Sequence, residues 1–294
     1  MMQTFYGFPI SYLEEGSLKI GYLTQAGPRI VFLSYQGSKN LLAEVPQIVT
    51  PTPFGEYHYI GGHRLWHAPE VMPRTYIPDE DGLNIIELAN GVLLDGMTEK
   101  PSGIHKQIEI HLQTDPPRVI LQHTLINEGL WEIELAAWAI TMLRLGGVAI
   151  LPMSHPIDDN ELLPNRHISL WQYSQINDAR LKLNDDFILI RTEPALSPFK
   201  IGTFDLPGWI GYWMDGILFR KNFAVFPKQI HPDHNCNAEI YCDEHFIELE
   251  SIAPLTKIPP GGCIHHTETW EFYDSLEQDF IPQALRNNFD IESL

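Results

Sequence analysis

Cysteine and positive charge are both scarce in this chain. Three cysteines occur in 294 residues, Cys236, Cys242 and Cys263. Sparse, odd-numbered usage argues against a disulfide framework and leads us to expect a reducing, cytoplasmic compartment. Cys236 and Cys242 read as members of one strand, roughly 20 Å apart when extended, too far for a bridge. No Cys or His spacing suits zinc, so neither a metal nor a cofactor is expected. Lys and Arg number 19 against 38 Asp and Glu, a formal net charge of -19. That balance excludes nucleic acid and anionic membrane surfaces as expected partners. No apolar run of membrane-spanning length is free of charges or turn residues, and the N-terminus MMQTFYGFPISYLEEG lacks the pattern of a signal peptide. Absent too are a phosphate-cradling glycine loop before a helix, a nucleophile elbow and a Cys-x-x-Cys pair.

What is present is 44% hydrophobic content, enough for a real core, arranged almost without helical periodicity. Short runs of alternating or β-rich residues recur between turn signals. LKIGYLTQAGPRIVFLSYQG holds two around Ala26-Gly27-Pro28. Residues 83–88 and 91–97 form a hairpin about Ala89-Asn90-Gly91, and VILQHTLINEGLWEIELAAWAIT turns at Asn127-Glu128-Gly129. This pattern predicts an all-β sandwich or barrel. Neither a repeat nor an internal linker interrupts it, so we expect one domain over 1–294, with an acidic tail at 274–294 packed on its outside.

With no familiar motif, the chemistry must come from scattered strand residues. In HFIELESIAPLTKIPPGGCIHHTETWEFY, Phe246, Glu248 and Glu250 share one face of a strand, and Ile247 and Leu249 the other. Two acids on one row face either water or a polar cleft, and Glu250 is our candidate for the cleft. Residues 43–62, rich in proline and glycine, read as a long loop, and GGHRLWHAPE after them reads as a loop too. His63 and His67 are four apart, but the flanking Gly61, Gly62 and Pro69 disfavour the helix on which they could share a metal. A loop this rich in His, Arg and Trp is a candidate binding loop, which brings in His63, Arg64 and Trp66. In GIHKQIEIHL, Lys106 lies on the apolar row of Ile104, Ile108 and Ile110, and needs either a partner or a wet cavity. His123, on the row of Val119 and Leu121, reads as a core histidine. Trp138 lies on a mixed row. Lys200 precedes Ile201-Gly202, and Trp209 and Trp213 sit among glycines, suited to core packing or to stacking on flat ligands. Asn237, Glu239 and Tyr241 face one way on a further strand.

Taken together, GGHRLWHAPE, GIHKQIEI, ELAAWAIT with GGVAILP, LPNRHISLWQY, PFKIG with GW, and HPDHNCNAEIY ahead of IELES, APL and PPGG resemble the galactose mutarotase-like superfamily. More closely they resemble a branch of it known as a domain of unknown function. The resemblance implies a large antiparallel β-supersandwich that binds a sugar on a concave face. In aldose mutarotases the catalytic glutamate follows a leucine on a late strand, shortly before a proline-glycine turn. Leu249-Glu250, ahead of Pro260-Gly261, matches, which implies that Glu250 is the general base. Mutarotation also needs an acid to protonate the ring oxygen. The middle-strand histidine that serves mutarotases is replaced in LAAWAIT by Trp138, so His63 or a water is the candidate acid. Arg64, Trp66, Lys106, Trp138, Lys200 and Glu239 complete the expected substrate-binding set. The expected activity is aldose 1-epimerase-like acid–base chemistry on a sugar. The alternatives are a carbohydrate-binding protein without chemistry and, on fold analogy alone, a polysaccharide lyase or hydrolase.

Overall fold

A computed structural model describes residues 3–80, 82–155, 162–193 and 197–274. Two large antiparallel sheets, of eleven and ten strands, form the body. One apolar cluster draws on both. Ile20, Leu33, Leu65, Ala137, Ile201, Ile240 and Leu249 come from the first sheet, and Ile108, Ile110, Leu121, Ala149, Tyr212, Phe219 and Trp270 from the second. The two inner faces thus pack against each other in the sandwich that the alternating runs predict. Among the described residues no helix is long and apolar enough to cross a membrane. The expected tail over 274–294 lies, beyond Asp274, outside the described residues.

Five adjacent strands of the first sheet matter most. In spatial order they are His63–Ala68, Ile133–Leu143, Ile247–Ile252, Ala238–Cys242 and Phe199–Thr203. Their register aligns Arg64, Ile140, Glu250, Glu239 and Gly202 in one row across the sheet. The next row holds Met142, Glu248, Tyr241 and Lys200. Because side chains alternate along a strand, these residues leave the sheet on the face away from the partner sheet.

Two expectations about chain path need correction. The stretch over 43–62 is not a loop, since Glu44–Thr52 and Gly55–Gly61 pair as a separate hairpin. Pro46 and Pro51 fit there because a two-stranded ribbon leaves one edge of each strand unpaired. GGHRLWHAPE is not a loop either, because His63–Ala68 runs through the interior of the eleven-stranded sheet with all six residues buried. Gly61 and Gly62 explain how it enters. Their φ angles are +112° and +75°, and a Cβ on either would lie 2.0 Å from a backbone oxygen, that of Ala43 or Ile30. The glycines mark close approach of neighbouring backbones, not a break in pairing. By contrast, the hairpin near 90 forms as expected, from Asn84–Leu88 and Gly91–Asp95.

Candidate functional site

The outward face of the five strands opens into a cavity of about 480 Å³. Arg64, Trp66, Trp138, Lys200, Tyr241 and Glu248 supply its floor from the sheet, and Tyr59, Glu70, Tyr76, Tyr173, Asp243 and Phe246 line it from neighbouring segments. Aromatic rings dominate these walls, as in sites that take a flat-faced ligand. A larger cavity, about 650 Å³, lies between Tyr12, Tyr22, Glu87 and Leu112. Its charged groups, Glu14, Glu15 and Glu87, are all exposed, so no buried charged group faces a ligand there.

Two ion-paired cations organise the smaller cavity. Arg64 donates from Nη2 to Glu248 Oε1 at 2.8 Å, and its guanidinium lies 4.2 Å from the Trp66 ring centroid. Lys200 Nζ lies 2.8 Å from both Glu239 Oε2 and Glu250 Oε2. The Trp138 indole N–H donates to the same Glu250 oxygen at 2.8 Å. Lys200 is also placed over the rings of Trp138 and Trp171, 4.8 and 4.7 Å from their centroids.

The network is incomplete. Arg64 Nε and Nη1 and Glu250 Oε1 are buried without a hydrogen-bond partner. Buried polar atoms are seldom left so, and a pocket floor is where a ligand can complete them. Burial raises the Glu248 carboxyl to about 7, although Arg64 pulls it down. Burial also holds Glu239 well above the carboxylate range, against the pull of Lys200. For Lys200 itself burial acts downward, but Glu239 and Glu250 outweigh it and keep the ammonium charged. Beside this group Asp233, also raised by burial, sits in a run with His234 and Asn235 at positive φ.

The structure brings Arg64, Trp66, Trp138 and Lys200 together on the cavity wall. Glu239 and Glu250 lie just behind it, fully buried and bonded to Lys200. Two candidates belong elsewhere. His63 precedes Arg64, so alternation turns it to the opposite face of the sheet. There its Nε2 meets His123 Nε2 at 2.7 Å and its Nδ1 meets Thr141 Oγ1 at 2.9 Å. Burial holds its pKa well below the ordinary histidine value. It is therefore not placed to act as an acid in this cavity. Lys106 also points inward, where it is ion-paired with Glu99, which lies 3.6 Å from His67. A local partner, not a wet cleft, accounts for this lysine on an apolar row. Trp213 packs with Val148, Ile150 and Leu189, and Trp209 borders the same cluster, so neither lines the cavity.

Tyr59, Tyr76, Tyr173 and Asp243 were not among the expected site residues. Tyr59 comes from the hairpin where the sequence predicts a loop, and Tyr173 from turns after Leu170, where the HISLWQYS pattern predicts a strand but only Ser169–Leu170 pairs. Glu248 lies on the same strand face as Glu250 and lines the cavity, whereas Glu250 does not.

Solved structures share this architecture. A candidate aldose 1-epimerase from Escherichia coli K12 superposes with a TM-score of 0.53 at 13% identity, over 91% of this chain and 100% of its own. A galactose mutarotase-like protein from Lactobacillus casei ATCC 334 matches with a TM-score of 0.50 at 11% identity, over 90% and 100% of the two chains. The fold is galactose mutarotase-like. A third match of this fold, a candidate aldose 1-epimerase from Klebsiella pneumoniae, reaches 0.56 at 10% identity over 95% and 87% of the chains. No family model and no curated protein sequence matches the chain.

Proposed function

We propose that the protein binds a sugar in the 480 Å³ cavity and exchanges its anomers by acid–base chemistry. The observation that carries this reading is the cavity floor, where Arg64, paired with Glu248, and Lys200, held from behind by Glu250, lie among aromatic rings with hydrogen-bonding capacity unfilled. Trp66 and Trp138 offer apolar faces to the ring, and Arg64 offers two unpartnered nitrogens, Nε and Nη1, to hydroxyl oxygens. Glu248, with its carboxyl raised to about 7, is suited to give a proton to the ring oxygen near neutrality. Glu250, two residues further on the same strand face but behind Trp138 and Lys200, takes the proton of the anomeric hydroxyl once those two side chains shift aside, as the ring bond breaks. Rotation of the freed aldehyde and reclosure then invert the anomeric centre.

Saturation-transfer NMR of anomer exchange tests this assignment. Glu248→Gln and Glu250→Gln should each slow the catalysed exchange by about 100-fold or more. Exchange that continues unchanged in both variants removes the carboxyls from the mechanism.

A second reading is a sugar-binding protein without chemistry. Two observations favour it: Glu250 is covered by Trp138 and Lys200, and no histidine among the described residues lines the cavity. Binding heat with a sugar whose anomer exchange is not accelerated would select this reading.

A further inference from the structure

We infer that the cavity selects sugars by charge, preferring one with a free amino group to its neutral counterpart and turning away uronic acids and sugar phosphates. This inference rests on the sugar-binding reading above and names the substrate class of the same site.

Two cations, Arg64 and Lys200, line the cavity, and both are already committed. Glu248 holds Arg64, and Glu239 and Glu250 hold Lys200, each at 2.8 Å. Six carboxyl groups stand against them. Glu70, Asp243 and Glu248 are on the wall, and Glu239, Glu250 and Asp233 lie behind it. Burial raises Glu239, Glu248 and Asp233. Even with those three protonated, three carboxylates outnumber two cations.

An arriving carboxylate or phosphate therefore meets cations whose charge is already offset by carboxyl groups, and it enters a wall where carboxylates are in excess. Shedding its own hydration there gains it little net attraction in return. The free Nε and Nη1 of Arg64 can still serve neutral hydroxyls. An ammonium meets the opposite conditions. Among the described residues neither Glu70 nor Asp243 is ion-paired. Glu70 accepts only from the Tyr76 hydroxyl, and Asp243 accepts from the Tyr241 hydroxyl and the backbone of His245 and Phe246. The rings of Tyr76, Tyr173 and Tyr241 stand beside them, and aromatic rings favour a cation. The excess of acid over base across the whole chain, a net charge of -19, acts in the same direction at longer range.

Calorimetry at neutral pH decides the matter with matched gluco and galacto series. The probes are the hexosamine, its N-acetyl form, the hexose, the hexuronic acid and the hexose 6-phosphate. The hexosamine should bind about tenfold tighter than the N-acetyl form and the hexose, and both anions about tenfold weaker than the hexose. These ratios should shrink in high salt, because Glu70 is exposed. In the double variant Glu70→Gln, Asp243→Asn the ratio of amine to N-acetyl affinity should fall towards one. Equal binding of amine and N-acetyl forms, or an anion that binds as tightly as the hexose, overturns the inference and leaves the sugar pocket standing. No heat from any probe overturns both.

Discussion

Two polar clusters lie on opposite faces of the same strands, and they are built to different ends. Between the sheets, Lys221 Nζ donates to the carbonyls of Ala139 and Leu249 and pairs with Glu268 at 2.9 Å. Glu268 also accepts from Ser251 and from the Trp270 indole. His123 Nδ1 bonds the His266 carbonyl, and His63 bridges His123 to Thr141. Every member has partners, and all are at most 3% exposed. His63, His123 and Glu268 come close enough to suggest a metal site, yet Lys221 already supplies the positive charge there. On the outer face, Arg64, Glu239 and Glu250 keep unfilled hydrogen-bonding atoms next to a cavity. A closed network specifies a core, whereas an open one beside a void leaves work for a ligand. Counting titratable residues would rank the inner cluster as the more enzyme-like. Tracing where each hydrogen bond goes reverses that order.

The contrast can be broken most directly through stability. Lys221→Met strands Glu268 as an unpaired charge between the sheets and should cost about 3–5 kcal/mol in urea unfolding. Arg64→Met removes the comparable partner of Glu248, whose carboxyl is already raised to about 7 and can take a proton instead. Its cost should be about 1–2 kcal/mol. Equal losses in the two variants would erase the distinction between a sealed cluster and an open one.

Binding sharpens the comparison next. Trp66→Leu, on the open face, should weaken sugar affinity by about tenfold. His123→Asn, on the sealed face, should leave the affinity of the folded protein where it was. A reversed pattern in calorimetry would move the site to the inner cluster.

The smallest effect is a difference in slope with pH. His63, His123 and His266 are held below the ordinary histidine value of 6.5 by burial, His266 down to about 3. As pH falls through 6.5 the unfolded chain takes up protons that the folded histidines do not, so stability is lost on acidification. Glu248 has the opposite sign. Raised from 4.5 to about 7, it holds a proton in the folded state that the unfolded chain gives up, so its contribution is lost as pH rises through that window. Glu248→Gln removes the opposing term, and its stability should climb more steeply than the parent's between pH 4.5 and 7. Parallel curves from urea melts would show that Glu248 titrates alike in the folded and unfolded chains.

Much of the architecture could be read from residue order. Alternation in IELESI set Glu248 and Glu250 on the face opposite Leu249, and that is how they lie. The hairpin about Asn90 and the near absence of helix followed from turn residues and β-rich runs. Glycine misled at Gly61-Gly62, because a close approach of backbones and a loop carry the same letters. Lys106 looked like a cleft residue only because Glu99, seven positions earlier, gives no sign in the sequence that it folds back to pair with it.

The division has a physical basis. Period-two alternation is local, so the chain alone assigns each side chain to one face or the other of its strand. Which face meets the partner sheet and which meets a cavity depends on strands far apart in sequence, His63–Ala68 beside Ile133–Leu143 beside Ile247–Ile252. Neighbours such as His63 and Arg64 therefore part company only when the second sheet closes over one of them. That closure buries the histidine among satisfied partners and leaves the arginine at the cavity with hydrogen bonds still to make.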